Sequence, residues 1–210
     1  MPLRVPLQLH PDSRCDALTG IDVEVARSGP RKLKLLFVLG GEPWHVKWPR
    51  PEAPARADGL WRHTCLELFV RAGDEEAYLE LNLAPSGRWA AYRFARYREG
   101  MEIAGEIDEP RMDGEMRREP LGRERRAQLE ALGRDTLERY GPSYLTMRAE
   151  LGLDQAAFLP LDVPWHLGLS AVIEEKSGRL SYWALAFPPG KPDFHHPDCF
   201  RLELPAARPA

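Results

Sequence analysis

Two glutamates, an asparagine and two tryptophans stand close together in the stretch Asp58 to Phe94. Glu67 lies in HTCLELFV, Glu80 and Asn82 lie in YLELNL, and Trp61 and Trp89 flank them. Carboxylates and a carboxamide offer paired hydrogen bonds to hydroxyl groups. An indole face covers the apolar side of a sugar ring or another flat group. Arg148 in YLTMRAEL and Trp183 in LSYWALAF add a guanidinium and a third indole. Glu67, Glu80, Asn82, Arg148 and Trp183 each fall opposite the best apolar register of their own segment. If these segments are neighbouring strands, the five side chains share one sheet face. Trp61, Glu67, Glu80, Asn82, Trp89, Arg148 and Trp183 are therefore the candidate ligand-binding residues. The alternative is a solvated outer face with ordinary cross-strand pairs, such as Arg148 with Glu67 or Glu80.

Other chemistry has weaker footing. Glu67 and Glu80 are the candidates for a glycosidase pair. His63 and Cys65, and His195, His196, Asp198 and Cys199, are metal donors without the paired spacing of a structural zinc module. His195, His196 and Asp198 are the weak metal candidates. Ser170 in GLSA lacks the glycine pattern of a nucleophile elbow, and no phosphate or dinucleotide loop follows a strand. No catalytic residue is assigned, and no cofactor is expected.

The elements that position these residues read as β. Ile21–Arg27 and Leu33–Leu39 form a hairpin across Ser28-Gly29-Pro30. Pro43 to Pro54 is a proline-broken loop carrying Trp44 and Trp48. Three strands fill Asp58 to Phe94, the second and third joined by Ala84-Pro85-Ser86-Gly87. Leu66, Leu68 and Val70 share a face with the apolar core, as do Leu79, Leu81 and Leu83. Tyr144–Leu153 has the cleanest two-residue period in the chain. His166–Glu174 and Leu180–Phe187 form a second hairpin, and Phe200–Leu204 a last strand. Between them, 111–140 is crowded with arginines and acids and reads as an insertion, with an amphipathic helix at Arg123–Arg139. This predicts one all-β domain over 1–210: an antiparallel two-sheet β-sandwich of the jelly-roll kind with one helical insertion.

Composition narrows the function classes. The 210 residues carry 29 Lys and Arg against 32 Asp and Glu, a formal net charge of −3. That lacks the basic excess of a nucleic-acid surface. No stretch approaches the roughly 20 apolar residues of a membrane span. Three cysteines, Cys15, Cys65 and Cys199, imply no disulfide framework. The segment MPLRVPLQLHPDSR has no apolar run of signal-peptide length. The expectation is a cytoplasmic protein with a small-molecule or sugar ligand and no nucleic-acid or membrane partner.

The stretch Asp58–Phe94, with the ending SYWALAFPPGKPDFHHPDCFRLEL, resembles the DOMON-like superfamily, in particular the branch similar to family 9 carbohydrate-binding modules. Trp61 followed by Glu67 in WRHTCLELFV, Asn82 in LELNLAPSG and the terminal PDFHHPDCFRLEL carry the likeness. The resemblance implies a β-sandwich with a concave sheet face. In sugar-binding members a pair of tryptophans sandwiches a sugar and Glu, Arg and Asn hold its hydroxyls. By position that implies Trp61, Glu67 and Asn82 here, with Trp183 as the second tryptophan and Trp165 in reserve. Thr64 and Glu80 stand where such members tend to carry an acid and an arginine. Other DOMON members bind haem through Met with His or Lys, which makes Met101, Met112 or Met147 with His166, His195 or His196 the haem alternative. The implied function is a non-catalytic binding module; haem-based redox function or hydrolysis is the alternative.

Overall fold

Alternation along the sequence becomes two differently furnished faces in the sheet. The computed structural model describes residues 2–117 and 144–207. Among these, thirteen strands and three single turns of 3-10 helix account for the regular structure. In chain order the strands are β1 (Leu3–Leu9), β2 (Leu18–Gly29), β3 (Lys32–Gly41), β4 (Ala55–Arg56), β5 (Cys65–Ala72), β6 (Tyr78–Leu83) and β7 (Arg88–Phe94). They continue as β8 (Glu102–Ile103), β9 (Arg111–Arg117), β10 (Tyr144–Gly152), β11 (Trp165–Glu174), β12 (Leu180–Ala184) and β13 (Leu202–Leu204).

The all-β expectation holds, but the strands form one curled sheet instead of two separate ones. Its order is β4-β7-β6-β5-β11-β12-β1-β2-β3-β10-β9, with β13 on β11 and β8 on β7. Every pair is antiparallel except β4 with β7. The join is β1. Leu3 to Leu7 pair with β2, and Gln8 and Leu9 pair with β12. Sequence reading missed this strand because of Pro6. A proline cannot donate to a ladder, and here Pro6 has a ladder neighbour on one side alone, Asp22 of β2.

The curl brings the apolar faces of both arms together. One continuous cluster contains Val23, Val25, Leu35 and Leu39 from one arm and Leu66, Leu68, Leu79, Leu81 and Leu169 from the other. Each such burial contributes about 1.5–3 kcal/mol. Of the predicted insertion, Arg111–Arg117 is strand β9, paired with β10. The helix expected at Arg123–Arg139 lies outside the described residues.

The opposite face of β5, β6 and β7 is also covered. Phe69, Tyr78, Tyr92, Phe94, Val172, Phe194 and Phe200 form a second apolar cluster there. Phe194 and Phe200 come from the loop before β13. The β6–β7 turn needs Gly87, whose φ is +97° and whose Cβ would sit 2.9 Å from the Glu52 carbonyl oxygen. This turn aligns Glu80 with Tyr92 and Asn82 with Ala90.

Candidate functional site

Register places the polar side chains in rows. Ser170 of β11, Glu67 of β5, Asn82 of β6 and Ala90 of β7 are consecutive cross-strand partners. One row along, Gly168, Phe69, Glu80 and Tyr92 align in the same way. Both rows face away from the leucine core. They floor a cavity of about 530 Å³ whose lining includes Glu67, Glu80, Tyr92 and Phe94. Trp61 and Arg98 from loops, and Phe194 and His195 from the covering segment, complete its walls. That volume lies within the roughly 300–1,000 Å³ usual for small-molecule pockets.

Among the described residues no cation bonds either acid. Glu67 is 2% exposed, and its Oε2 accepts from the Ser170 hydroxyl at 3.0 Å. Glu80 is 6% exposed, and its Oε1 accepts from Asn82 Nδ2 at 2.7 Å. Burial, and then the charge of Glu80, pushes the Glu67 carboxyl up to about 8 against the Ser170 bond. Burial pushes Glu80 up to about 7, opposed by the Asn82 bond and by Arg98. Desolvation disfavours the charged form and a neighbouring like charge adds to it. At neutral pH the pair therefore retains protons, and each protonated carboxyl becomes a donor as well as an acceptor.

The rim is fixed by a second network. Tyr92 OH donates to Asp58 Oδ1 at 2.6 Å. Trp61, 40% exposed, stands edge-on to the Tyr92 ring with centroids 6.1 Å apart. Tyr78 OH accepts from the Arg98 backbone N–H at 3.2 Å and bonds His195 Nδ1 at 2.8 Å. When the phenol donates to Nδ1, the neutral ring carries its proton on Nε2, 3.8 Å from Glu80. Burial lowers the His195 pKa to about 4, so the ring is neutral. Arg98 pairs with Asp193 at 2.8 Å and has a φ of +57°. It is the one non-glycine residue with positive φ among the described residues. Strain of this kind is held by its surroundings, here the Tyr78 and Asp193 bonds.

The sequence-predicted set divides. Trp61, Glu67 and Glu80 line the cavity. Asn82 lies beneath it, with no exposed surface. Trp89 pairs with Leu83 and faces the main core, where the Arg56 guanidinium lies 4.1 Å from its ring. Trp183 pairs with Ala171 and is likewise in the core, its Nε1 donating to Ser181 Oγ at 3.1 Å. Trp165 is fully buried in that core too. Arg148 sits on β10, between β3 and β9, and pairs with Asp113 at 3.4 Å. The expected meeting of Arg148 and Trp183 with Glu67 does not occur, because neither residue is on the cavity side of β5, β6 and β7.

The other candidates are also separated. His195 lines the cavity, whereas His196 Nδ1 accepts from the Asp198 backbone N–H at 3.2 Å and caps a 3-10 turn. His63 bonds Glu174 at 2.7 Å, and Cys65 is buried beside Asn82. Among the described residues no three His, Cys, Asp or Glu side chains gather as metal donors. Met101 lines the cavity with His195, while Met147 belongs to the main core and Met112 packs against it. His195 Nδ1 bonds Tyr78 OH at 2.8 Å, and its Nε2 lies 3.8 Å from Glu80.

Sequence reading missed Tyr92, Phe94, Arg98, Tyr182 and Phe194. The signal for Tyr92 was parity: β7 reads Trp89, Ala91 inward and Ala90, Tyr92, Phe94 towards the cavity. Tyr182, paired with Val172, sits one residue from the expected Trp183.

No protein-family model matches the chain, and no curated protein matches it in sequence. Solved structures do. A candidate carbohydrate-binding protein from Bacteroides uniformis is 14% identical, with 95% of this chain and 84% of that one covered at a TM-score of 0.60. A family 9 carbohydrate-binding module from Caldicellulosiruptor kristjanssonii in complex with cellotriose matches over 95% of this chain and 80% of its own, with 10% identity and a TM-score of 0.47. The same organism's module in complex with glucose covers 81% of this chain and 69% of its own, at 11% identity and a TM-score of 0.39. The likeness to the Bacteroides protein shows a shared fold.

Proposed function

We propose that this chain is a non-catalytic binding module whose ligand, a carbohydrate or another small polyhydroxylated compound, occupies the cavity floored by Glu67 and Glu80. The observation that carries this reading is that Trp61 and the two buried carboxyls line one cavity. Trp61 would cover the apolar face of a ring, and Glu67, Glu80, Arg98 and the His195 Nε2–H would bond its hydroxyls. The fold shared with the Bacteroides protein supports the reading, and so does the correspondence of Trp61, Glu67 and Asn82 with the sugar-binding DOMON-like branch. On that basis we also infer a distant DOMON-like relationship, the curled sheet standing for its sandwich.

The same two carboxyls with raised pKa values suggest a second reading, glycoside hydrolysis. A glycosidase pair flanks the scissile bond. Glu67 and Glu80 instead rise from neighbouring strands of one sheet and approach a ligand from the same side. Geometry favours binding.

Titration of a sugar library, read by tryptophan fluorescence, tests the proposal. A saturable change that disappears in Trp61→Ala is expected. No response up to millimolar sugar, or an unaltered response in that variant, would overturn it. Release of nitrophenol from chromogenic glycosides would favour hydrolysis.

A further inference from the structure

The charges around the cavity do not balance. Its floor carries Glu67 on β5 and Glu80 on β6. The Cys65 thiol behind them is pushed well up, by burial first and then by Glu67, and is uncharged. Tyr92 on β7 is committed to Asp58, and Tyr78 on β6 to His195. Tyr182 on β12 supplies a further ring. Of the basic groups, His195 is neutral and Arg98 is engaged by Asp193, which Tyr97 OH also bonds. No cation among the described residues bonds either glutamate, and no described residue bonds Glu67 Oε1.

A structural role does not require acids at these positions. Glutamine at position 67 would satisfy Ser170 equally well and cost far less to bury. Five aromatic rings, those of Trp61, Tyr92, Phe94, Tyr182 and Phe194, share the walls with Met101, Val172 and Pro192. Ring faces carry the negative end of a quadrupole and attract a desolvated cation. Two acids with one open oxygen, enclosed by such rings, match a positive charge.

Building on the sugar-binding reading above, we propose that the ligand is a hydroxylated compound bearing a protonated amine, as an amino sugar does, with the ammonium held against Glu67 and Glu80. In the empty cavity burial and the charge of Glu80 on Glu67 disfavour ionisation, so the carboxyls hold protons near neutral pH. An entering ammonium makes the carboxylate form favourable, and the displaced proton passes to solvent: a carboxylic acid and an ammonium ligand become a carboxylate–ammonium pair and a free proton. Affinity then rises with pH until the ligand's own ammonium gives up its proton.

Calorimetric titration near neutral pH, in phosphate and in Tris, discriminates. The probes are glucose, galactose and mannose, each as the neutral sugar, the N-acetylated amino sugar and the free amino sugar. The free amines are expected to bind at least about tenfold tighter than their neutral counterparts. Heats that differ between the buffers would report proton release. Glu67→Gln should abolish the preference for the free amine over the neutral sugar, and Glu80→Gln repeats the test should the first variant not fold. Equal affinity for all three forms would overturn this inference and leave the sugar reading standing. No binding by any probe would overturn both.

Discussion

Asn82 reaches back along its own strand and holds Glu80: Nδ2 donates to Oε1 at 2.7 Å, and the asparagine itself has no exposed surface. Two residues apart on β6, they must point the same way. Asn82 is therefore the support for an acid and not a contact for a ligand. Asn82→Ala should destabilise the protein by about 1–3 kcal/mol, since Glu80 loses its donor in a buried setting. It should also push the Glu80 carboxyl further up and weaken sugar binding. Urea denaturation and titration of the variant check both effects.

Stability should fall as pH rises from mildly acidic to mildly alkaline. The ordinary carboxyl value is 4.5, while Glu67 and Glu80 are raised to about 8 and about 7. The folded state thus holds protons that the unfolded state has released, and each group lowers stability by up to about 1.4 kcal/mol per pH unit across its own window. His195 acts in the opposite sense, because burial lowers it from 6.5 to about 4. Its contribution is complete above 6.5 and is lost below. Both acids therefore act unopposed between 6.5 and about 7, where the decline is steepest, and Glu67 continues it alone to about 8. Urea midpoints across this range should flatten in Glu67→Gln; a variant profile parallel to the parent's would show that Glu67 ionises as freely in the fold as out of it.

The tryptophans should separate by role. Trp61 is 40% exposed at the cavity mouth, whereas Trp183 is 4% exposed in the core. Trp61→Ala should change stability by no more than roughly 1 kcal/mol and abolish the ligand-induced fluorescence change. Trp183→Phe should cost about 1–3 kcal/mol and leave that change intact. The reverse pattern would move the binding face to the other side of the sheet.

His195 should remain neutral to well below its ordinary range, because burial and then the Arg98 charge lower it. A Tyr78 hydroxyl that donates to Nδ1 would add to this by favouring the unprotonated nitrogen. In Tyr78→Phe the imidazole pKa should move back towards 6.5, at a stability cost of about 1 kcal/mol. Imidazole chemical shifts followed by NMR through an acid titration measure this directly. A coincident titration of parent and variant would assign the low value to burial and Arg98 alone.

The alternation of leucines made the central strands readable. Leu66, Leu68 and Val70, and Leu79, Leu81 and Leu83, all face the core as their spacing dictates. Trp61 and Glu67 were readable from the same stretch. Trp89 and Trp183 were not, because small residues surround them. In Trp89-Ala90-Ala91-Tyr92 and Trp183-Ala184, alanine fits either face and conceals the parity. Arg148 has the right parity on the wrong arm, since pairing order is a long-range property that no local pattern encodes. The loop carrying Phe194 and His195 has no periodicity at all, yet it converts an outer sheet face into a cavity wall. Pro6 concealed β1 for the reason given by its one-sided ladder.

That same first strand has a consequence for the order of assembly. β1 leaves the ribosome long before β12, its partner across the join. Its other partner, β2, is available at once. During translation the β1–β2 pair waits with one edge unpaired, and the two arms join once β12 has emerged. Closure of so distant a pair is slow. The exposed edge invites pairing with another chain in the meantime, so the nascent protein is most vulnerable to aggregation before Leu180–Ala184 has appeared.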